Sequence, residues 1–162
     1  VPWLGAGICP DKEAWLLAID KMNEAGQRLR QENIRLCYHN HAHEFDRIDG
    51  QTIFDMIFEN SAPENLALQR DTCWAAVGGA DPIALLKQYQ GRVPLLHVKD
   101  YFPGDPPQLT EVGQGCMVWP ELLRQGREAG AVWYIVEQDD HFATDSLESA
   151  RIGAEFMAAL DI

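Results

Sequence analysis

The 162-residue sequence predicts an α/β protein built on a parallel sheet, and three observations lead to that prediction. Short apolar segments typical of buried strands alternate with longer segments whose apolar residues recur at helical spacing. Ionisable residues follow directly after four of the strand segments. The composition is that of a globular domain, with 46% hydrophobic and 23% charged residues. Strand–helix alternation of this kind places successive strands in parallel, joined by right-handed crossovers.

About five strand–helix units follow one another along the chain. Asp11 is expected to cap a long first helix, the pair Asp81-Pro82 predicts the start of a shorter one, and Gly130 is expected to end another. The predicted strands are 1–4, 34–38, 66–69, 93–98 and 132–136, and the predicted helices are 11–31, 52–59, 83–89, 119–129 and 146–160. Taken alone, this order fits either an open doubly wound sheet or part of a (β/α)₈ barrel.

The net charge, the cysteine content and the missing motifs exclude several classes of protein. A formal net charge of -12 disfavours binding to nucleic acid, because phosphate backbones are repelled. The sequence has no apolar run long enough to span a bilayer and no signal-peptide pattern at its start, so we expect a cytoplasmic protein without a membrane partner. Its 4 cysteines are far apart and predict buried, reduced thiols rather than disulfides or a thiolate zinc site. The Gly-rich phosphate loops of nucleotide-binding folds are absent.

Polar residues concentrate where the predicted strands end. They fall into four groups: His39, Asn40, His41, His43 and Glu44; then Asp71; then His97, Lys99 and Asp100; then Glu137, Gln138, Asp139 and Asp140. Because the carboxyl ends of parallel strands share one edge of the sheet, these groups are expected to meet where α/β proteins bind ligands.

Several acids and histidines at one edge need a compensating charge, and a divalent cation is the simplest one. Asp71, His97 and Glu137 each lie at strand positions that share one face of the sheet. A mixed carboxylate and imidazole set without thiolates suits Mn²⁺, Mg²⁺, Co²⁺ or Zn²⁺.

The remaining histidines and the tryptophans are assigned by position. One or two of His39, His41 and His43 are expected to line the pocket, with His43 solvated, and His141 is expected to be exposed in a polar loop. Trp74 is the best candidate for stacking on a sugar ring. The other tryptophans, which are Trp3, Trp15, Trp119 and Trp133, are expected in the core or the pocket wall.

Five segments together resemble a known family. They are YHNHAHEF at 38–45, DTCW at 71–74, LHVKD at 96–100, EVGQG at 111–115 and VEQD at 136–139. In this order they resemble the sugar phosphate isomerase/epimerase family, the xylose isomerase-like TIM barrels, and the resemblance covers nearly the whole chain. It implies that residues 1–162 form a single partial barrel of about five βα units.

A full (β/α)₈ barrel needs about 250 residues, so the resemblance also implies that the N-terminal βα units are missing. A half-barrel exposes two sheet edges and an apolar inner face. We therefore expect a longer native gene product, or a partner such as a second copy that closes the edges.

The resemblance implies one divalent metal ion held by four side chains. Asp71, His97 and Glu137 match three of the ligand positions. The fourth ligand in the family is usually a glutamate; Glu44 is favoured here, and the alternative is that His39 ligates directly. His39, His41, Trp74, Lys99 and Asp100 are then expected to contact a carbohydrate substrate.

The implied reaction is that of a metal-dependent sugar (phosphate) isomerase or epimerase. The metal polarises a carbonyl, Glu44 and Glu137 move a proton through a metal-stabilised enediolate, and Lys99 stabilises the oxyanion. An alternative is a lyase of the same family, a dehydratase or a 3-keto-glycoside-eliminating enzyme, in which His41 acts on a leaving hydroxyl. A second alternative is a non-catalytic barrel fragment. A related DNA-repair endonuclease is disfavoured by the charge of -12 and by the lack of further ligands for a multi-metal cluster.

Overall fold

A parallel sheet organises the part of the chain that the computed structural model describes, which is residues 3–5, 7–140 and 145–160. The strands are Cys37–His39 (β1), Arg47–Ile48 (β2), Gln51–Thr52 (β3), Ala67–Asp71 (β4), Leu95–Val98 (β5), Asp100–Phe102 (β6), Gln108–Thr110 (β7) and Trp133–Val136 (β8). The helices are Lys12–Gln31 (α1), Ile53–Glu59 (α2), Thr72–Val77 (α3), Pro82–Gln88 (α4), Trp119–Ala129 (α5) and Ser146–Ala159 (α6). Four parallel strands form the main sheet in the order β1-β4-β5-β8.

The predicted helix ends are confirmed by their capping geometry. The Asp11 side chain accepts a hydrogen bond from the Ala14 N–H at the start of α1. Asp81 caps α4 in the same way, with Pro82 in the first turn. Gly130 ends α5 with a left-handed φ of 101°, a conformation that glycine adopts without a Cβ clash.

The first predicted strand, at 1–4, has no counterpart among the residues that the structure describes. Val1 and Pro2 lie outside the described residues, and Trp3 and Leu4 belong to no strand. Two hairpins, β2–β3 and β6–β7, and the short helix α3 were not predicted. Their strands are 2 or 3 residues long, which is too short for a periodic pattern to show.

The helices cover one face of the main sheet. Alternate strand residues such as Tyr38, Leu68 and Leu96 are fully buried in a core shared with α1, α2 and α5. The opposite face is exposed at β8, where Trp133, expected in the core or pocket wall, is 66% exposed. Trp3, which lies outside the sheet, is also exposed. Because strand side chains alternate between faces, the face that carries Trp133 also carries the ligand-type residues at the strand ends.

Cysteine burial follows the prediction at three positions. Cys9, Cys37 and Cys73 are buried and unpaired, whereas Cys116 is exposed. No described helix combines the length and the apolar content that crossing a membrane requires.

Candidate metal centre

Four side chains from four neighbouring strands meet at the carboxyl edge of the sheet. They are His39, Asp71, His97 and Glu137, and one ligand atom from each lies within 4.8 Å of the others. His97 Nδ1 is 2.8 Å from Glu137 Oε2, and the His39 and His97 ring centroids are 4.5 Å apart. Two ligand atoms on one cation are at most about 4.6 Å apart, since metal–ligand bonds are about 2.0 to 2.3 Å long, so a small inward shift would let the four groups share an ion.

Strand register brings the four groups together. Asp71 of β4 lies opposite His97 of β5 in the parallel ladder. Glu137 follows β8 directly, and its N–H donates to the Val98 carbonyl, which continues the ladder beyond the strand. His39 is the last residue of β1. The ligand-type residues therefore lie at the carboxyl ends of adjacent strands, each within one residue of the last strand position.

The structure brings His39, and not Glu44, together with Asp71, His97 and Glu137. The sequence had favoured Glu44 as the fourth ligand. Glu44 is fully buried, and its two oxygens accept hydrogen bonds from Tyr38 Oη at 2.8 Å and from the His41 N–H at 2.7 Å. The physical reason is the 3-10 turn at His43–Phe45, which takes the chain out of the strand direction before Glu44. Glu44 thus holds the backbone of His41 in place by accepting this hydrogen bond.

Lys99 is buried among three carboxylates. Its Nζ is 2.8 Å from Asp139 Oδ2, 2.9 Å from Glu137 Oε2 and 3.4 Å from Asp71 Oδ2. Burial alone opposes its charge, but these carboxylates raise the pKa of Lys99 above its ordinary value. Lys99 is therefore a cation that holds carboxylates in place. The sequence placed Asp139 in the polar group after the last strand and did not predict its contact with Lys99.

The residues fit a divalent cation. His39 Nδ1 and His97 Nε2 are buried and have no hydrogen-bond partner among the described residues. Burial lowers the pKa of His39 to about 3, so its ring is neutral and able to ligate at neutral pH. Burial raises the pKa of Asp71 to about 6, whereas the hydrogen bond from His97 holds the pKa of Glu137 well below its usual range. The carboxylates of Asp71, Glu137 and Asp139 surround the single ammonium group of Lys99. The excess negative charge is one that a divalent ion would neutralise.

Aromatic groups lie next to this centre. The His41 ring centroid is 4.8 Å from that of His39 and 5.7 Å from that of Trp74, and Lys99 Nζ is 5.2 Å from the Trp74 centroid. His41 Nδ1 and Trp74 Nε1 are buried without a partner in the described part of the chain. Burial lowers the pKa of His41 to about 4, so this ring is also neutral at neutral pH. Both groups are available to hydrogen-bond a polar ligand.

Asp100 and His43 are both held by hydrogen bonds within the protein. The buried Asp100 carboxylate accepts hydrogen bonds from the N–H groups of Tyr101, Gly113 and Met117 and from Trp119 Nε1. With both oxygens occupied by these four donors, Asp100 organises the β6–β7 region, and the expected contact between Asp100 and substrate stays a prediction.

His43 is only partly exposed, because its Nε2 is 2.7 Å from the Leu4 carbonyl and 3.3 Å from Glu44 Oε1. The expectation that His43 is solvated is therefore wrong. His141, expected to be exposed, lies outside the described residues.

The family follows from a comparison with known proteins. Residues 3–160 match the family model of the xylose isomerase-like TIM barrel. The chain belongs to this family. Its four-stranded parallel sheet is therefore part of a xylose isomerase-like barrel, as the sequence predicted.

Individual relatives agree with this family. The inosose dehydratase of Geobacillus kaustophilus is 30% identical over 86 residues, which is 53% of this chain and 27% of that protein. A sugar phosphate isomerase/epimerase from Parabacteroides distasonis superposes with a TM-score of 0.81 at 24% identity, covering 93% of this chain and 56% of the other. A xylose isomerase domain protein from Planctomyces limnophilus superposes with a TM-score of 0.70 at 16% identity, covering 96% of this chain and 56% of the other. The chain thus spans little more than half of these solved structures.

Proposed function

We propose that this chain carries the metal centre of a divalent-metal-dependent enzyme that isomerises or epimerises a small sugar by proton transfer. The convergence of His39, Asp71, His97 and Glu137 within 4.8 Å supports the proposal most strongly. The chain belongs to the xylose isomerase-like TIM barrel family, and the four residues lie at the edge where TIM barrels bind their ligands.

The donor set favours particular ions. Two imidazoles and two carboxylates are intermediate between the all-oxygen sites of Mg²⁺ and the thiolate sites of structural zinc. We therefore propose Mn²⁺, Co²⁺ or Zn²⁺ ahead of Mg²⁺. An ion bound there would supply Lewis-acid polarisation of a substrate carbonyl.

The protein's own groups support proton transfer beside that ion. Glu137 is ionised and its side chain is 35% exposed, so it can face a substrate, whereas Asp71 is fully buried. Neutral His41, with an unpartnered Nδ1, is a second group that can accept a proton. Glu44 fixes the His41 backbone, and Lys99 holds Glu137, so both act as positioning residues in this proposal.

The match to inosose dehydratases favours a second candidate, a dehydratase. Its first step is the same removal of a proton next to a carbonyl, followed by loss of a hydroxyl from the neighbouring carbon. In that reaction His41 would protonate the departing hydroxyl with the proton it has accepted, so that water leaves and the ring returns to its neutral form.

Proton NMR in D₂O tests the proposal. The full chain, loaded with Mn²⁺ and then exchanged into diamagnetic Zn²⁺ or Mg²⁺ for spectroscopy, is incubated with a panel of ketoses and with an inosose. Deuterium entering the carbon next to the carbonyl without loss of water supports the isomerase or epimerase, and loss of water supports the dehydratase.

The controls use matched charge changes. Asp71→Asn is expected to abolish the reaction, and Asp20→Asn, which makes the same charge change on the exposed face of α1, is expected to leave it intact. Metal binding with no exchange on any substrate contradicts the catalytic proposal and supports the non-catalytic alternative.

A further inference from the structure

We propose that Asn40 is a positioning residue that sets Asp71 for metal binding and that Arg70 in turn fixes Asn40. The inference rests on the proposed metal centre and deepens it. It assigns a role to two buried polar residues that lie beside the metal-ligand candidates without being among them.

The Asn40 side chain continues the ladder between β1 and β4 after β1 has ended. The last paired residues are His39 and Gln69. One position further on, Asn40 Nδ2 donates to the Asp71 carbonyl at 3.0 Å, and Asn40 Oδ1 accepts from the Asp71 N–H at 3.1 Å. A side-chain amide here makes the two bonds that a neighbouring strand would make through its backbone.

The two Asn40 hydrogen bonds, called the Asn40 clamp below, hold the Asp71 backbone and so restrict where its carboxylate lies. Its Oδ1 accepts a hydrogen bond from the Trp74 N–H at 2.8 Å, which starts α3. With the backbone held by Asn40 and one oxygen held by α3, the position of Oδ2 at the metal centre is determined. Because Asn40 directly follows His39, the same residue also couples two of the four ligand candidates.

Arg70 supports the Asn40 clamp from the other face of the sheet. It is fully buried, with its guanidinium carbon 4.5 Å from the Phe54 centroid and 5.3 Å from the Phe45 centroid. Its Nη1 donates to Asn40 Oδ1 at 3.3 Å. The charged Arg70 donor favours the amide orientation in which Asn40 Oδ1 faces both Arg70 and the Asp71 N–H. In the flipped amide the Asn40 NH₂ group would face these two donors and could accept from neither.

Metal titration of substituted full-length chains tests the inference. Mn²⁺ affinity is measured by electron paramagnetic resonance of the free ion, and the geometry of the site by the visible spectrum of bound Co²⁺. Asn40→Ala is expected to weaken Mn²⁺ binding by about 10- to 100-fold and to alter the Co²⁺ spectrum. Asn40→Asp keeps the acceptor for the Asp71 N–H and is expected to retain more affinity than Asn40→Ala.

Ser61→Ala is the matched control for a loss of stability. The buried Ser61 hydroxyl donates to the Ile57 carbonyl at 2.6 Å and accepts from Arg92 Nη2 at 2.6 Å, both away from the metal centre. Its loss is expected to lower the melting temperature and to leave Mn²⁺ affinity unchanged. Arg70→Met, which keeps the packing between the two phenylalanines, is expected to weaken binding in the same direction as Asn40→Ala.

Hydrogen exchange of the Asp71 amide provides a metal-independent measurement. It is expected to be slow in the unsubstituted chain and faster in Asn40→Ala, relative to the β4–β5 ladder in the same sample. Unchanged Mn²⁺ affinity and an unchanged Co²⁺ spectrum in a folded Asn40→Ala chain overturn the inference. Failure of the unsubstituted chain to bind Mn²⁺ or Co²⁺ overturns the proposed function instead, and the exchange rate of Asp71 then decides whether Asn40 positions it.

Discussion

Replacing Asp71 by Asn is expected to stabilise the metal-free protein at pH 8 while removing its affinity for metal. Burial raises the pKa of the Asp71 carboxyl from an ordinary value of 3.8 to about 6. Between these two pH values the folded chain holds a proton that the unfolded chain has lost, so the stability falls as the pH rises through this window. At 1.36 kcal/mol per pH unit, the difference corresponds to about 3 kcal/mol of destabilisation at pH 8. Asn removes this cost and keeps an oxygen for the Trp74 N–H.

Urea unfolding in the presence of a chelator measures this effect. At pH 8 Asp71→Asn should unfold at a higher urea concentration than the unsubstituted chain, by up to about 3 kcal/mol, and at pH 4 the two should nearly coincide. Added Mn²⁺ should stabilise the unsubstituted chain and should not stabilise Asp71→Asn. Asp20→Asn, with the same change in formal charge at an exposed site, should match the unsubstituted chain both in its urea unfolding at pH 8 and in its stabilisation by Mn²⁺. An Asp71→Asn chain that is less stable at pH 8 would refute the reasoning, as would one that Mn²⁺ stabilises equally.

Three other perturbations test separate parts of the structure. Mn²⁺ affinity, measured by calorimetry, should fall about tenfold per pH unit below about pH 6 because protonation of Asp71 competes with the ion; a flat profile down to pH 5 would contradict this. Lys99→Met should raise Mn²⁺ affinity by about tenfold or more, because it removes an ammonium group that lies 3.4 Å from Asp71 and 2.9 Å from Glu137. Equal affinity in the two chains would show that Lys99 does not oppose the ion. Gly26→Ala should lower the free energy of unfolding by about 1 to 3 kcal/mol, because a Cβ there would lie 1.9 Å from the Asn65 carbonyl oxygen. Gly7→Ala meets nothing within 4 Å and should be neutral, so similar melting temperatures for the two variants would contradict that packing.

The fold was predictable where local patterns are long or carry a clear end signal. Asp11, the pair Asp81-Pro82 and Gly130 each determine a helix end through a capping interaction that is local in sequence. The β6–β7 hairpin was not predictable in the same way. It is organised by Asp100, whose carboxylate reaches donors 13, 17 and 19 residues further along the chain, and such contacts leave no periodic signal.

The sequence was sufficient to predict which strand ends carry the residues of the site. The parity and strand position of Asp71, His97 and Glu137 are sufficient to place them at one edge of the sheet. Which of His39 and Glu44 lies beside Asp71, His97 and Glu137 was not predictable, because it depends on a single 3-10 turn after β1. The exposure of Trp133 also escaped prediction, since a strand pattern shows which residues share a face and not whether another element covers that face.

We propose that one divalent ion binds between His39, Asp71, His97 and Glu137. Anomalous diffraction from a crystal grown with Mn²⁺ tests this binding most directly. We expect a single peak at the carboxyl edge of the sheet, with a ligand atom of each of these residues about 2.0 to 2.3 Å away. A crystal with no peak there, or with a peak ligated by Glu44 in place of His39, would contradict it.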